Sequence, residues 1–295
     1  MRRQQAVRER YSYEDTFVKG IEMLEEKQIE EMLKARKIKC AYASKTIKAG
    51  NQMEIEIYPD FTRSQIREYG FPKSRQAQRN LDDRNARKNL ERLINANFGT
   101  GDIWATLTYS QEDLPETIEE AERNMQNYIR RINTARKKKG LPNAKYIYIT
   151  EYSAEKKIRC HHHLLIDGGM TMDELEKKWK KGSRNNLRRV APDEDGLTGL
   201  AAYLTKDPKG RKRWKASKGL KKPVIRKSHR VFREKNIRDM VTGKREIKEV
   251  VQGKYKRYIY TRHEIRYNRI NGMFYIYVRM RERSTGGCVI GRKKE

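Results

Sequence analysis

The sequence predicts an α+β fold: a central antiparallel sheet with helices packed on one face, plus a helical N-terminal and a basic C-terminal extension. Three observations carry this. Strand-like segments rich in β-branched and aromatic residues alternate with segments of helical periodicity. Two of the strands, Tyr146–Tyr152 and the one through His161–Ile166, are separated only by a short polar segment, Ser153–Ile158, which turns the chain back as an antiparallel hairpin. The helix between Glu116 and Lys139 has an apolar side that needs a sheet to cover it.

In chain order, Tyr13 to about Lys39 reads as a helix, because Phe17, Ile21, Leu24, Ile29 and Met32 recur at helical spacing among charges. Gln52–Tyr58 alternates, with Met53, Ile55 and Ile57 on one face and Glu54 and Glu56 on the other, the pattern of a half-buried strand. A second helix over Ser74 to about Asn97 would bury Leu81, Leu90, Leu93 and Ile94 and expose Arg79, Arg84, Arg87, Lys88 and Arg92. After Gly99 and Gly101, Asp102–Tyr109 (DIWATLTY) predicts a strand. The helix over Glu116–Lys139 turns Ile118, Ala121, Met125, Tyr128, Ile129 and Ile132 inward, and Gly140 and Pro142 stop it.

Beyond the hairpin, Thr171 and Glu174 have capping-box spacing before a short helix carrying Leu175 and Trp179. The basic segment Lys177–Arg189 leads to Val190, and an apolar helix over Leu197–Lys206 closes the unit. Lys206–Lys235 holds fourteen Lys or Arg against Asp207 and Glu234 and reads as loop or linker. Tyr255–Arg262 and Met273–Met280 form a last strand pair around the turn Asn271-Gly272. The chain then divides into an N-terminal extension over 1–98, a core over 99–210 and a basic C-terminal region over 211–295.

Charge bounds the partners. The net charge is +30, from 69 Lys and Arg against 39 Asp and Glu, which points to a polyanion and most often to nucleic acid. No apolar run of eighteen or more is present, and Met1–Arg10 is charged with no signal-peptide core, so no membrane role and a cytoplasmic location are expected. Cys40, Cys160 and Cys288 are scattered without a CxxC pair, which argues against a disulfide framework and a thiolate zinc site.

Three of the five histidines fall in one stretch, Arg159-Cys160-His161-His162-His163-Leu164-Leu165-Ile166. On a strand, successive side chains point to opposite faces, so His161 and His163 project together while His162 points away to pack or bond on the opposite face. Glu151 precedes His161 by ten residues on the partner strand. If the turn between them is odd in length, Glu151 pairs across from His161 or His163 and shares their face. Two imidazoles and a carboxylate suit Mn²⁺ or Mg²⁺ at an open site, and zinc also remains open.

Downstream, Tyr203 and Lys206 are three apart and share a helix face. A phenol is a poor nucleophile at its ordinary pKa of about 10. A metal polarising a phosphate and a lysine stabilising negative charge would make its attack feasible.

The ordered set Thr106–Tyr109 (TLTY), Glu151, His161-His162-His163 and Tyr203-x-x-Lys206 resembles the HUH endonuclease superfamily, in particular rolling-circle replication initiators of bacterial phages and plasmids. The resemblance spans roughly 100–210, and Met53 through Tyr109 also looks like the leader region of replication-associated proteins from mobile elements of Gram-positive bacteria. It implies an HUH/RRM-like core in which His161, His163 and Glu151 hold a divalent metal, Tyr203 attacks the scissile phosphate of single-stranded origin DNA, and Lys206 orients or neutralises that phosphate. The implied product is a 5′-phosphotyrosine and a free 3′-hydroxyl. The implied partners are origin DNA and the host helicase and polymerase, with room for an oligomer. Two-tyrosine members carry a second tyrosine where this chain has Gly199, so the resemblance is to a single-tyrosine enzyme. A conjugative relaxase or single-tyrosine transposase would use the same chemistry, and a non-catalytic basic nucleic-acid-binding protein is the alternative of another class.

Overall fold

The computed structural model describes residues 17–34, 40–62, 64–65, 75–155, 158–204, 214–269 and 271–283, apart from the side chains of 75–84, 202, 203 and 230. In chain order its elements begin with β1 (Phe17–Val18), α1 (Glu26–Lys34), β2 (Tyr42–Ala49), β3 (Gln52–Pro59), α2 (Arg75–Asn97) and β4 (Ile103–Thr108). They continue with α3 (Ile118–Lys138), β5 (Tyr146–Glu151), β6 (His161–Ile166), α4 (Met172–Lys178), β7 (Asn186–Arg189) and α5 (Thr198–Leu204). They close with β8 (Lys215–Ala216), β9 (Val224–Phe232), α6 (Glu234–Val241), α7 (Ile247–Lys254), β10 (Tyr258–Asn268) and β11 (Met273–Glu282). The fold is α+β, with two antiparallel sheets in two compact units, Asp83–Pro223 and Met1–Asp82 with Val224–Glu295.

In the unit Asp83–Pro223 the strands lie in the order β7-β4-β6-β5-β8. The central strand β6 is flanked on both sides, and from His162 onward it is buried throughout, as expected of a strand with no solvent-facing side. The helix expected over Glu116–Lys139 is α3. The Thr117 side chain accepts the Glu120 N–H at its start, and Arg136, Lys137 and Lys138 in its last turn suit the negative end of the helix dipole. The capping box of α4 forms in both directions between Thr171 and Glu174. Together α3 and α4 bury Met125, Tyr128, Leu175 and Trp179 against Ala105, Leu107, Leu164 and Ile166 on one face of the sheet.

The opposite face, expected to stand free, is divided. Leu90 and Ile94 of α2 and Ala201 and Leu204 of α5 pack on Trp104, Ile147 and Leu165, while the neighbouring rows through His163 and His161 are polar. Arg92, expected among the exposed charges of α2, is buried, because this end of the helix is enclosed beyond its Leu90–Ile94 stripe. Leu81, Arg79 and Arg84 of that helix lie outside the described side chains.

The other unit holds the sheet β1-β10-β11-β3-β2-β9. Met53, Ile55 and Ile57 share one buried face as their alternation predicts, and they meet Met280, Val278 and Ile276 across β11. The hairpin β10–β11 turns through Gly272, whose φ of 67° is the left-handed conformation that glycine tolerates. Two expectations change here. The helix expected over Tyr13–Lys39 is broken in its described part into β1, a 3₁₀ turn at Ile21–Met23 and α1, because Gly20 adopts φ 70° ahead of the turn. The stretch Lys206–Lys235, expected as linker, contains β8 and β9, and β9 gains its regular structure by pairing with β2. Among the described residues no helix is long and apolar enough to cross a membrane.

Candidate metal centre

The hairpin β5–β6 pairs Glu151 directly with His161, and Ile149 with His163. Alternation therefore sends His161 and His163 to one face, and Glu151 joins them. His161 Nε2 lies 3.2 Å from His163 Nε2. The Glu151 carboxylate is 3.5 Å from each, Oε2 facing His161 and Oε1 facing His163. One donor atom from each residue falls within a 4.8 Å group, so the three could hold a metal ion. The separations fit such a group, since cis ligands about 2.1 Å from an octahedral ion lie about 3.0 Å apart and tetrahedral ones slightly further.

The imidazoles are oriented for this from behind. His161 Nδ1 is 2.9 Å from the Arg159 carbonyl oxygen, an acceptor, so Nδ1 carries the proton and the Nε2 lone pair faces the cluster. His163 Nδ1 is 3.2 Å from Thr106 Oγ1, and its ring stacks on Trp104 with centroids 5.3 Å apart and planes 12° apart. Such outer partners fix ring orientation and ligand basicity. His163 is 4 % exposed at its side chain against 34 % for Glu151, so a substrate reaches the centre from the Glu151 side.

His162 faces the other way, as its place in the alternation requires. It is fully buried, within hydrogen-bond distance of Tyr109 Oη at 2.8 Å and Thr150 Oγ1 at 2.9 Å. Burial, reinforced by the neighbouring His161 and His163, holds its pKa down to about 3, so it is a neutral imidazole with one donor and one acceptor nitrogen. The two hydroxyls supply the matching halves. Burial also raises the Tyr109 phenol and pushes the Cys160 thiol up to about 12, leaving both protonated and unreactive.

Tyr203 falls within α5, whose Ala201 and Leu204 pack over the same sheet face as His163, but its side chain lies outside the described residues, as does Lys206 altogether. Sequence reasoning missed the support shell. Trp104 and Thr106 are two apart on β4 and share a face with His163, so strand alternation held the signal. Thr150 as a partner of His162 left no local sign, because it comes from β5 through tertiary pairing.

Two imidazoles and a carboxylate on an antiparallel sheet define a protein with a candidate open metal centre. Residues 102–208 match the family model for replication-associated proteins of the ORF2 type. The match supports a replication initiator family and ties this part of the chain to DNA replication. No curated protein and no solved structure gives a significant match.

Proposed function

We propose that this protein is a rolling-circle replication initiator that nicks and rejoins single-stranded origin DNA. The observation that carries the reading is the convergence of Glu151, His161 and His163 inside the span that matches the replication-associated family. A divalent ion at these three residues, Mn²⁺ or Mg²⁺ by donor type, supplies Lewis-acid polarisation of a phosphate oxygen. Tyr203 Oη attacks the phosphorus and loses its proton. The phosphorus–O3′ bond breaks, and the departing oxygen gains a proton to become a 3′-hydroxyl while the phosphate stays on the tyrosine. Lys206 balances charge at the phosphate. The net charge of +30 suits a polyanionic substrate.

The test is cleavage of a randomised single-stranded DNA library, with mass spectrometry of the adduct. Wild-type protein with Mn²⁺ or Mg²⁺ is expected to yield nicked DNA and a covalent adduct at Tyr203. Tyr203→Phe should lose both, and chelator should abolish cleavage until metal is restored. An adduct that survives in Tyr203→Phe refutes the nucleophile, and cleavage indifferent to chelator refutes the metal role. Salt-dependent binding without any cleavage by wild-type protein would favour a non-catalytic nucleic-acid-binding role.

A further inference from the structure

Beside His163 the polar face of the sheet runs into a groove of about 920 Å³, floored by Trp104 and rimmed by Thr106, Asn186 and Arg188, with Leu197 and Leu200 on its far wall. Its placement follows from register. Asn186 pairs with Thr106 and Thr106 with His163, so Asn186, Thr106 and His163 form one row across three strands, and Arg188 pairs with Trp104 in the next. Two strand spacings set Asn186 about 10 Å from the His163 position, a span that one nucleotide can bridge from phosphate to base.

The chemistry of the rim divides into two tasks. Arg188 is exposed on the edge strand β7 and makes no ion pair among the described residues, and its guanidinium fork matches a phosphate. The exposed Asn186 makes no side-chain hydrogen bond among the described residues, and its amide offers the donor and acceptor that read a base edge. The floor and far wall are apolar, as a base requires. A merely solvated edge strand needs neither this wall nor a polar row leading to the metal centre.

We infer that this groove seats the nucleotide next to the phosphate held at the metal centre, with Asn186 reading its base and Arg188 holding a backbone phosphate. The inference rests on the proposed single-stranded DNA substrate.

The experiment is an equilibrium binding selection on randomised single-stranded DNA, in chelator so that binding is read without cleavage, followed by sequencing. Wild-type protein is expected to show base preferences over a short run. Asn186→Ala should lose preference at one position, from about tenfold to under twofold, and keep the rest. Asn186→Asp should redirect that position toward bases that present an amino donor. Arg188→Ala should weaken binding evenly across sequences and lower the salt slope by about one. Both side chains are exposed, so melting curves should match wild type. If Asn186→Ala keeps every wild-type preference, or wild-type binding has none, the inference is wrong while the substrate reading stands. Absence of any single-stranded DNA binding overturns both.

Discussion

Replacing His162 with alanine separates the histidine that holds the strand from the two that face the metal centre. His162 is fully buried, with Tyr109 Oη at 2.8 Å and Thr150 Oγ1 at 2.9 Å. Alanine removes both hydrogen bonds, at a net loss of about 1 kcal/mol each. It also leaves the hydroxyl of the buried Tyr109 without this partner, which costs about 1–2 kcal/mol more. Water reaches the less buried Thr150 and limits its share. A void opens where the imidazole met the edges of Trp179 and Tyr148. The sum is about 3–5 kcal/mol, a large part of the roughly 5–15 kcal/mol that holds a typical domain folded. All three tryptophans, Trp104, Trp179 and Trp214, lie in the unit Asp83–Pro223, so tryptophan fluorescence in urea reports that unit alone. Measured in chelator, His162→Ala should lower its stability by the stated amount, whereas His161→Ala should cost less than about 1 kcal/mol. A loss below about 1 kcal/mol in His162→Ala would refute the assignment of His162 as the inward anchor.

Three further outcomes are expected. In calorimetric titration with Mn²⁺, His163→Ala should abolish measurable binding, and Thr106→Val should weaken it about tenfold by releasing the ring it orients; equal affinity in Thr106→Val would remove that role. A Cβ added at Gly182 would lie 2.3 Å from the Thr108 carbonyl oxygen, a backbone atom that cannot swing aside, so Gly182→Ala should destabilise by about 1–3 kcal/mol in the same urea assay. Arg136 is buried, paired with Asp167 and bonded through Nε to the Pro142 carbonyl at 2.7 Å. Arg136→Met should therefore cost about 3 kcal/mol, and full stability in this variant would show that the pair is replaceable by apolar packing.

The centre was legible because its signal is local. The nine-residue connection 152–160 is odd, so alternation alone places Glu151 with His161 and His163 and sends His162 away. Helix α4 was legible through Thr171 and Glu174, whose side chains act within one turn. What escaped came from distant partners. Nothing in the basic composition around Arg226 and Lys227 signals a strand, since its regularity depends on Thr46 and Lys45 some 180 residues earlier. Likewise Asn186 and Arg188 read as part of a charge run until β4 set their register. The helix expected over Tyr13–Lys39 yielded to a single left-handed glycine, which outweighs a periodic apolar pattern.

The donors of the metal centre come from two hydrogen-bonded strands, β5 and β6, and meet only when that pairing is made. Unfolded chains scatter them. Mass action then couples ion binding to folding: an ion at one hundred times its dissociation constant stabilises the unit by about 2.7 kcal/mol. The melting temperature becomes an affinity scale, on which the rise produced by each divalent ion ranks the ions without any substrate, cleavage or knowledge of the origin.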